Sequence, residues 1–397
     1  MTKNKTKRIY MDHAAAAPMD KRVKKAMEPY WTENFGNPNA IYKEGLIARS
    51  AVETARKDIA KILGARVKEI IFTNGGTESD NLAIFGIAKN FKSGHIITTK
   101  FEHHAVLNSC KRLEKEGFEV TYLDVGKEGV INPKDVAKVL KPETILVSIM
   151  YANNEIGTVQ PIREIAKAIR DFKKKNGAVF PLFHTDACQA PSYLDINVER
   201  LGVDLMTING SKIYGPKGIG LLYAKNGIKL EPLLDGGEQE RKLRPGTENV
   251  PAIVGLAEAL KIADKDREKE SARLVKLRDY FINRLLGEIP KTVLNGHPAQ
   301  RLPNNINVSI LDAEGESIVL YLDEAGVSCS TGSACTSESL EPSHVILAIG
   351  KPHAYAHGAM RFSLGRSTTK KDIDYVMKVL PDIIKKLRLF SPVNIKI

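Results

Sequence analysis

The chain has 397 residues, 43% of them hydrophobic and 27% charged, which suits a globular protein of one large domain or of a large and a small one. Its formal charge is +12, from 59 basic and 47 acidic residues, yet the lysines are scattered and no basic stripe alternates with aromatics, which argues against direct nucleic-acid binding. No apolar run approaches the length of about 18 residues that a membrane-spanning helix needs, and the polar, basic start MTKNKTKRIYMDHA lacks the apolar core of a secretory signal, so a cytoplasmic protein is expected.

In chain order, small and apolar residues recur at helical spacing over 46–63 (Ala48, Val52, Ala55, Ile59, Leu63), and Gly64 is placed to end that helix. A short apolar run at 70–72 reads as a strand leading into NGGTESDN, a glycine turn and a helix start. Further buried strands are expected at HIITT from His95, VTYLDV from Val120, TILVSIMYA from Thr144, VFPLFHTDA from Val179 and LMTI from Leu205, with helices such as 162–175 between them. This alternation predicts an α/β domain with a mostly parallel sheet. Near residue 260 the pattern changes to a long charged amphipathic segment at 257–286. The strand NINVSIL, a helix from Glu316, the strand MRFSL and a last helix at 370–387 follow, as in a smaller α+β domain.

Several residues have the right chemistry for a site, and each has a plainer reading. NGGTES (74–79) offers glycines and a helix N-terminus to a phosphate, or it is an ordinary turn. His103 and His104 can stack on a planar ring or move protons, or they are structural. Asp186 ends an apolar strand, where α/β sheets bind ligands, or it caps a helix. Lys212 sits between a strand and a glycine-rich turn and can form a Schiff base, or it is a solvated surface lysine. Arg361 can grip a carboxylate, or it is a salt-bridged surface group. The four cysteines, Cys110, Cys188, Cys329 and Cys335, include no CxxC pair and read as reduced thiols, with no zinc site. Cys335 lies among the small polar residues of STGSACTS, as in a mobile exposed loop, where an idle thiol is a liability. Cys329 reads as a core thiol or a partner to Cys335.

Taken together, the motifs MDHAAAAP (11–18), FGNPNA (35–40), TNGGTESDN, FEHHAV, YANNEIGTVQPI, HTDACQA, SKIYGPKGIG, RPGTENV, STGSACTS, LEPSHV and MRFSLGR resemble the cysteine desulfurases of the class V aminotransferase family, over nearly the whole chain. Within them the resemblance is to the group serving iron–sulfur cluster assembly and tRNA thiolation. It implies fold type I of the pyridoxal phosphate (PLP) enzymes: a large domain at 18–260 around a mostly parallel seven-stranded sheet, and a smaller α+β domain from 1–17 and 261–397 carrying the cysteine loop. It also implies a homodimer that takes L-cysteine to L-alanine and passes a persulfide on Cys335 to an acceptor, such as an iron–sulfur scaffold protein or a tRNA-thiolating enzyme. By the same resemblance Lys212 carries the PLP, Asp186 meets the ring nitrogen, Gln189 the ring hydroxyl and His103 the ring face. Gly76 and Thr77 cradle the phosphate, and Thr247 reaches it from the partner subunit. Asn154, Arg361 and Asn37 bind substrate, Arg361 at its carboxylate.

Two stretches depart from the family pattern. Asn209, Gly210, Ser211 and Lys212 stand where S-G-H-K is usual, so Asn209 and Ser211 replace a serine and a histidine that contact the phosphate; both can donate a hydrogen bond. GGEQERKLRPGT (236–247) has Pro245 where relatives have serine, which stiffens the turn. Two other readings remain open from sequence: a selenocysteine lyase or another fold type I PLP enzyme, and a non-catalytic sulfur-trafficking or RNA-associated binding protein.

Overall fold

The computed structural model describes residues 8–332 and 342–390. Twelve strands occur among them: β1 (Ile9–Tyr10), β2 (Ile70–Thr73), β3 (His95–Thr99), β4 (Glu119–Leu123), β5 (Thr144–Ser148), β6 (Leu182–Asp186), β7 (Leu205–Asn209), β8 (Gly220–Ala224), β9 (Thr292–Leu294), β10 (Asn305–Ile310), β11 (Val327–Ser328) and β12 (Ala359–Ser363). Seven form one sheet in the order β2-β8-β7-β6-β5-β3-β4. β4, β3, β5, β6 and β7 run parallel, and β8 is antiparallel to both β7 and β2. The fold is therefore the α/β, mostly parallel seven-stranded architecture of fold type I.

Helices cover both faces, so successive strand residues enter opposite cores. Ile97, Val147, Phe183 and Met206 pack on one side, and Ile96, Leu146, Leu182 and Leu205 on the other. Such two-sided burial yields continuous apolar runs in place of alternation. The helix Lys43–Leu63 buries Ala48, Val52, Ala55, Ile59 and Leu63 on a single face, and Gly64 caps it in the left-handed conformation (φ 66°). The run from Val179 pairs only from Leu182, after Pro181, which has no N–H to give to a ladder. The run from Thr144 leaves regular pairing after Ser148, although Ile149 and Tyr151 still donate to His184 and Asp186 of β6. Strand β8, GLLYA, escapes the sequence reading because it lies in the shadow of the glycine turn before it.

A second hydrophobic cluster surrounds β10 and β12, with Ile306, Val308, Met360 and Phe362 at its centre. The helices Gly315–Glu324 and Lys370–Phe390 pack on it, and so does Met11 from the N-terminus. β1 pairs in parallel with β11, which ties the start of the chain to this second cluster. One helix, Val250–Glu288, serves both cores: Val250 to Ile262 join the first, and Leu274 to Leu285 the second.

Candidate active site

The chain visits β3 and β4 at one end of the large sheet, then returns to add β5, β6 and β7 on the other side of β3. The strand order thus reverses between β3 and β5, and ligands of open α/β sheets bind at the carboxyl ends of strands around such a reversal. His103 follows β3, Asn154 follows β5, Asp186 ends β6, and Asn209 ends β7 with Lys212 three residues on. All five line one cavity of about 160 Å³, together with Gly76, Thr77, Gln189 and Arg361. Nine residues singled out from sequence are therefore neighbours in space.

Each is held by local structure. His103 is the N-cap of the helix His104–Lys115, and its Nδ1 accepts from the Ala105 N–H at 3.1 Å. An accepting Nδ1 leaves the neutral ring's proton on Nε2. His104 turns away and packs its ring on His344, centroids 4.7 Å apart, while burial lowers its pKa. Asp186 accepts the Cys188 N–H through Oδ1 at 2.8 Å, and Gln189 donates to the Ala14 carbonyl at 3.1 Å. The Lys212 ammonium donates to the Ala15 carbonyl.

Asn209 Oδ1 accepts from both the backbone N–H and the hydroxyl of Ser211, at 3.1 and 3.2 Å. The two substitutions thus act as a unit: Ser211 gives its proton to Asn209, and the Asn209 amide N–H₂ is left as the donor toward the cavity. Gly75 precedes the helix Gly76–Ala88 with φ 141° and ψ −177°, a conformation open essentially to glycine alone. It turns the first N–H groups of that helix toward an adjoining cavity of about 690 Å³. Ser211, Lys217 and Arg244 line that space too, and they meet the smaller cavity across Gly76, Thr77 and Asn209.

Arg361 lies on β12 of the second sheet. It is 1% exposed, so the surface reading fails. Nη1 donates to the Asn154 carbonyl at 3.0 Å and Nη2 to Asp12 Oδ1 at 2.8 Å. Nε is buried with no hydrogen-bond partner among the described residues. Asn37 and Thr247 are exposed and line neither cavity of this chain; Asn37 Oδ1 instead accepts the Asn39 N–H at 2.9 Å. Cys335 lies outside the described residues. Burial pushes the thiols of Cys110 and Cys329 up to about 12, and raises Cys188 strongly.

Three buried groups beneath the site escape the sequence reading. Burial, then the charge of Asp186, pushes the Asp80 carboxyl well above its usual range. Burial likewise pushes Glu102 up to about 8 against the pull of hydrogen bonds from Met150 N–H and Thr99 Oγ1, and it lowers His184 to about 4. Asp12 is the fourth omission, and only its contact with Arg361 gives it meaning. Among the described residues no group of histidine, cysteine and carboxylate side chains is arranged to hold a metal ion.

The family described as aminotransferase class-V matches residues 9–376, and the chain belongs to it. A cysteine desulfurase IscS of Methanosarcina thermophila is 52% identical over 397 residues, spanning 100% of this chain and 96% of the relative. One of Dictyoglomus turgidum is 52% identical over 386 residues, 97% and 96% of the two chains. Among solved structures, a NifS-like protein superposes with a TM-score of 0.89 at 36% identity, over 96% of this chain and 100% of the other. A protein described as SspA in complex with cysteine gives 0.79 at 37%, over 90% and 98%. Within the family, the chain's place is thus among the cysteine desulfurases.

Proposed function

We propose that the protein is a PLP-dependent cysteine desulfurase that converts L-cysteine to L-alanine, stores the sulfur as a persulfide on Cys335, and serves iron–sulfur cluster assembly or tRNA thiolation. One observation carries this reading: Lys212, Asp186, His103, Gln189, Asn154 and Arg361, drawn from two sheets, line a single cavity. The residues fit the cofactor. A lysine amine, a carboxylate at a strand end, an imidazole and a glycine-shaped helix N-terminus are the groups that an aldehyde, a pyridine nitrogen, a ring face and a phosphate require.

When bound, PLP supplies an aldehyde that takes up amines and a protonated ring that accepts electrons from the adjoining carbon. Lys212 would anchor it, and its amine would be the base that takes the substrate Cα proton. Asp186 would supply the charge that keeps the ring nitrogen protonated, Gln189 would serve the ring hydroxyl, and His103 would stack on the ring. Gly76, Thr77 and Asn209 would hold the phosphate, with Ser211 orienting Asn209. Arg361 offers its unpartnered Nε to the substrate carboxylate, beside Asn154. Cys335 forms a bond to the substrate sulfur as the Cβ–S bond breaks. The electron pair of that bond stays with carbon and is protonated to the alanine methyl group, so enzyme thiol plus L-cysteine give enzyme persulfide plus L-alanine with no outside oxidant. Burial keeps the three described cysteines as protonated thiols, which favours Cys335 for this role.

We also propose a cytoplasmic homodimer in which Asn37 and Thr247 serve the partner's cavity. Both are exposed and clear of their own. Trp31, Phe35, Ile41, Tyr42 and Leu46 form an exposed apolar stretch beside Asn37, with Ile41 88% accessible. We assign 18–260 to the cofactor domain and 1–17 with 261–397 to the smaller one, a division that falls inside the helix Val250–Glu288.

The test is to incubate the yellow protein with L-cysteine, assay alanine, and weigh the Cys335 peptide for one added sulfur. Cys335→Ala should keep the yellow colour and lose turnover. Full alanine and sulfide production by Cys335→Ala would overturn the reading.

A further inference from the structure

The stretch that contains Cys335 lies between Gly332 and Ser343, and Ser343 meets a buried carboxylate, that of Glu155. Ser343 Oγ donates to Glu155 Oε2 at 2.5 Å. The same hydroxyl accepts the Ile346 N–H at 3.3 Å, capping the short helix His344–Ala348, whose Val345 and Ile346 are buried in the main core. On the other flank, a Cβ placed on Gly332 would stand 3.0 Å from Glu155 Oε2, so the backbone passes the carboxylate at a distance that suits glycine. Ser330, two residues earlier, exchanges two backbone hydrogen bonds with Arg361, at 3.1 and 2.6 Å.

Glu155 is itself fixed. It is buried, its N–H donates to Asn153 Oδ1 at 2.8 Å, and its carbonyl accepts from Asn305 and Asn307 at 2.9 and 3.1 Å. No lysine, arginine or histidine pairs with it among the described residues. A buried carboxylate without a cation is costly to keep. Its neighbour Asn154 accepts from Arg361 through its carbonyl. One turn, YANNEIG, thus holds Arg361 by one residue and, by the next, the flank that follows the cysteine stretch.

We propose that Glu155 is a positioning residue for sulfur transfer: through Ser343 it holds the flank that follows the Cys335 stretch, next to the Asn154 carbonyl that holds Arg361, and so sets the rate at which the persulfide forms on Cys335. This rests on the reading of Cys335 given above. The step it governs is S–S bond formation to Cys335 with cleavage of the substrate Cβ–S bond, the electron pair and a proton ending on the alanine methyl carbon. Glu155 lines neither cavity of the site, so its removal should leave cofactor binding and substrate binding in place.

The experiment uses holoenzyme carrying Glu155→Ala, Glu155→Gln or Ser343→Ala, with Cys335→Ala alongside. Two quantities are read: the cofactor absorption band with its response to L-cysteine, and the single-turnover rate of persulfide formation on Cys335 by alkylation and mass spectrometry. Glu155→Ala should slow persulfide formation about 10²-fold, the scale of a misplaced reacting group, with the band and the cysteine concentration for half-maximal response unchanged. Glu155→Gln, which still accepts from Ser343, should recover most of the rate, and Ser343→Ala should fall between. An unchanged rate in Glu155→Ala overturns the proposal. A rate that falls in step with the band and with cysteine affinity also overturns it, because that is a general structural defect. Cys335→Ala separates the two readings: turnover without Cys335 removes the role of the thiol itself, whereas lost turnover there beside an unaffected Glu155→Ala removes only the role of Glu155.

Discussion

Lys212, Asp186 and Asn209 stand at the ends of neighbouring strands of one sheet, whereas Arg361 reaches the same cavity from a second sheet and bonds to Asp12, 349 positions away. The cofactor side is held largely by short-range devices, a side-chain cap at Asn209, a turn at Asp186 and a glycine before a helix, with the Ala14 and Ala15 carbonyls as its distant contacts to Gln189 and Lys212. The substrate side depends on β12, β11, the N-terminal segment and the YANNEIG turn meeting in space. The first group shares one sheet, while the second is drawn from segments of both cores. The comparison separates binding a cofactor from selecting an amino acid, and each side can be perturbed alone.

The largest effect should come from Lys212→Ala. Alanine formation should fall by about 10⁴-fold or more, the upper range for losing a positioned acid–base group, and the yellow band should vanish with the melting temperature little changed. Arg361→Lys strikes the other side. It keeps a charge for Asp12 but forfeits the planar fork, so KM for L-cysteine should rise about 10- to 100-fold, as for losing a charge-assisted hydrogen bond, with the absorption band intact. A bleached band in Arg361→Lys would show that the two sides are not separable.

Glu102, under the site, gives the smallest effect and a dependence on pH. In the fold its proton is held up to about 8, against an ordinary value of 4.5. Between those values the folded state carries the extra proton, so Glu102 lowers stability as pH rises, and the loss levels off above the folded value. Glu102→Gln keeps an acceptor for the Met150 N–H and Thr99 and cannot ionise. Its melting temperature relative to the parent should therefore climb from about pH 5 to about pH 8. A difference that stays flat across that range would mean that Glu102 does not titrate there.

The cofactor side was the more legible in the sequence, for a physical reason. A lysine after an apolar strand, an aspartate ending another and a glycine pair before a helix keep their meaning within a few residues, because strand and helix periodicities are local. The helix at 46–63 and the strands at 95, 120 and 205 were readable on the same ground. Asp12, Asp80 and Glu102 were not, since each acquires its role from a partner that is near only after folding. Arg361 read equally well as a surface group, because nothing in MRFSLGR records that its strand is covered on both faces. The pairing of Ser211 with Asn209 was hidden too: both were seen as donors, and only the turn geometry has one serve the other.

The helix Val250–Glu288 spans about 58 Å at the usual rise per residue. Its middle is lashed to both sides: Arg267 and Ser271 to the Leu194 and Tyr193 carbonyls, and Arg273 to those of Thr368 and Gly365. In mechanical terms it is a strut inside a braced frame. Moving the arginine that selects the substrate away from the lysine that holds the cofactor would have to bend a continuous helix against its braces as well as break the bond from Arg361 to the Asn154 carbonyl, so the separation between the two chemistries is stiffened by one long beam.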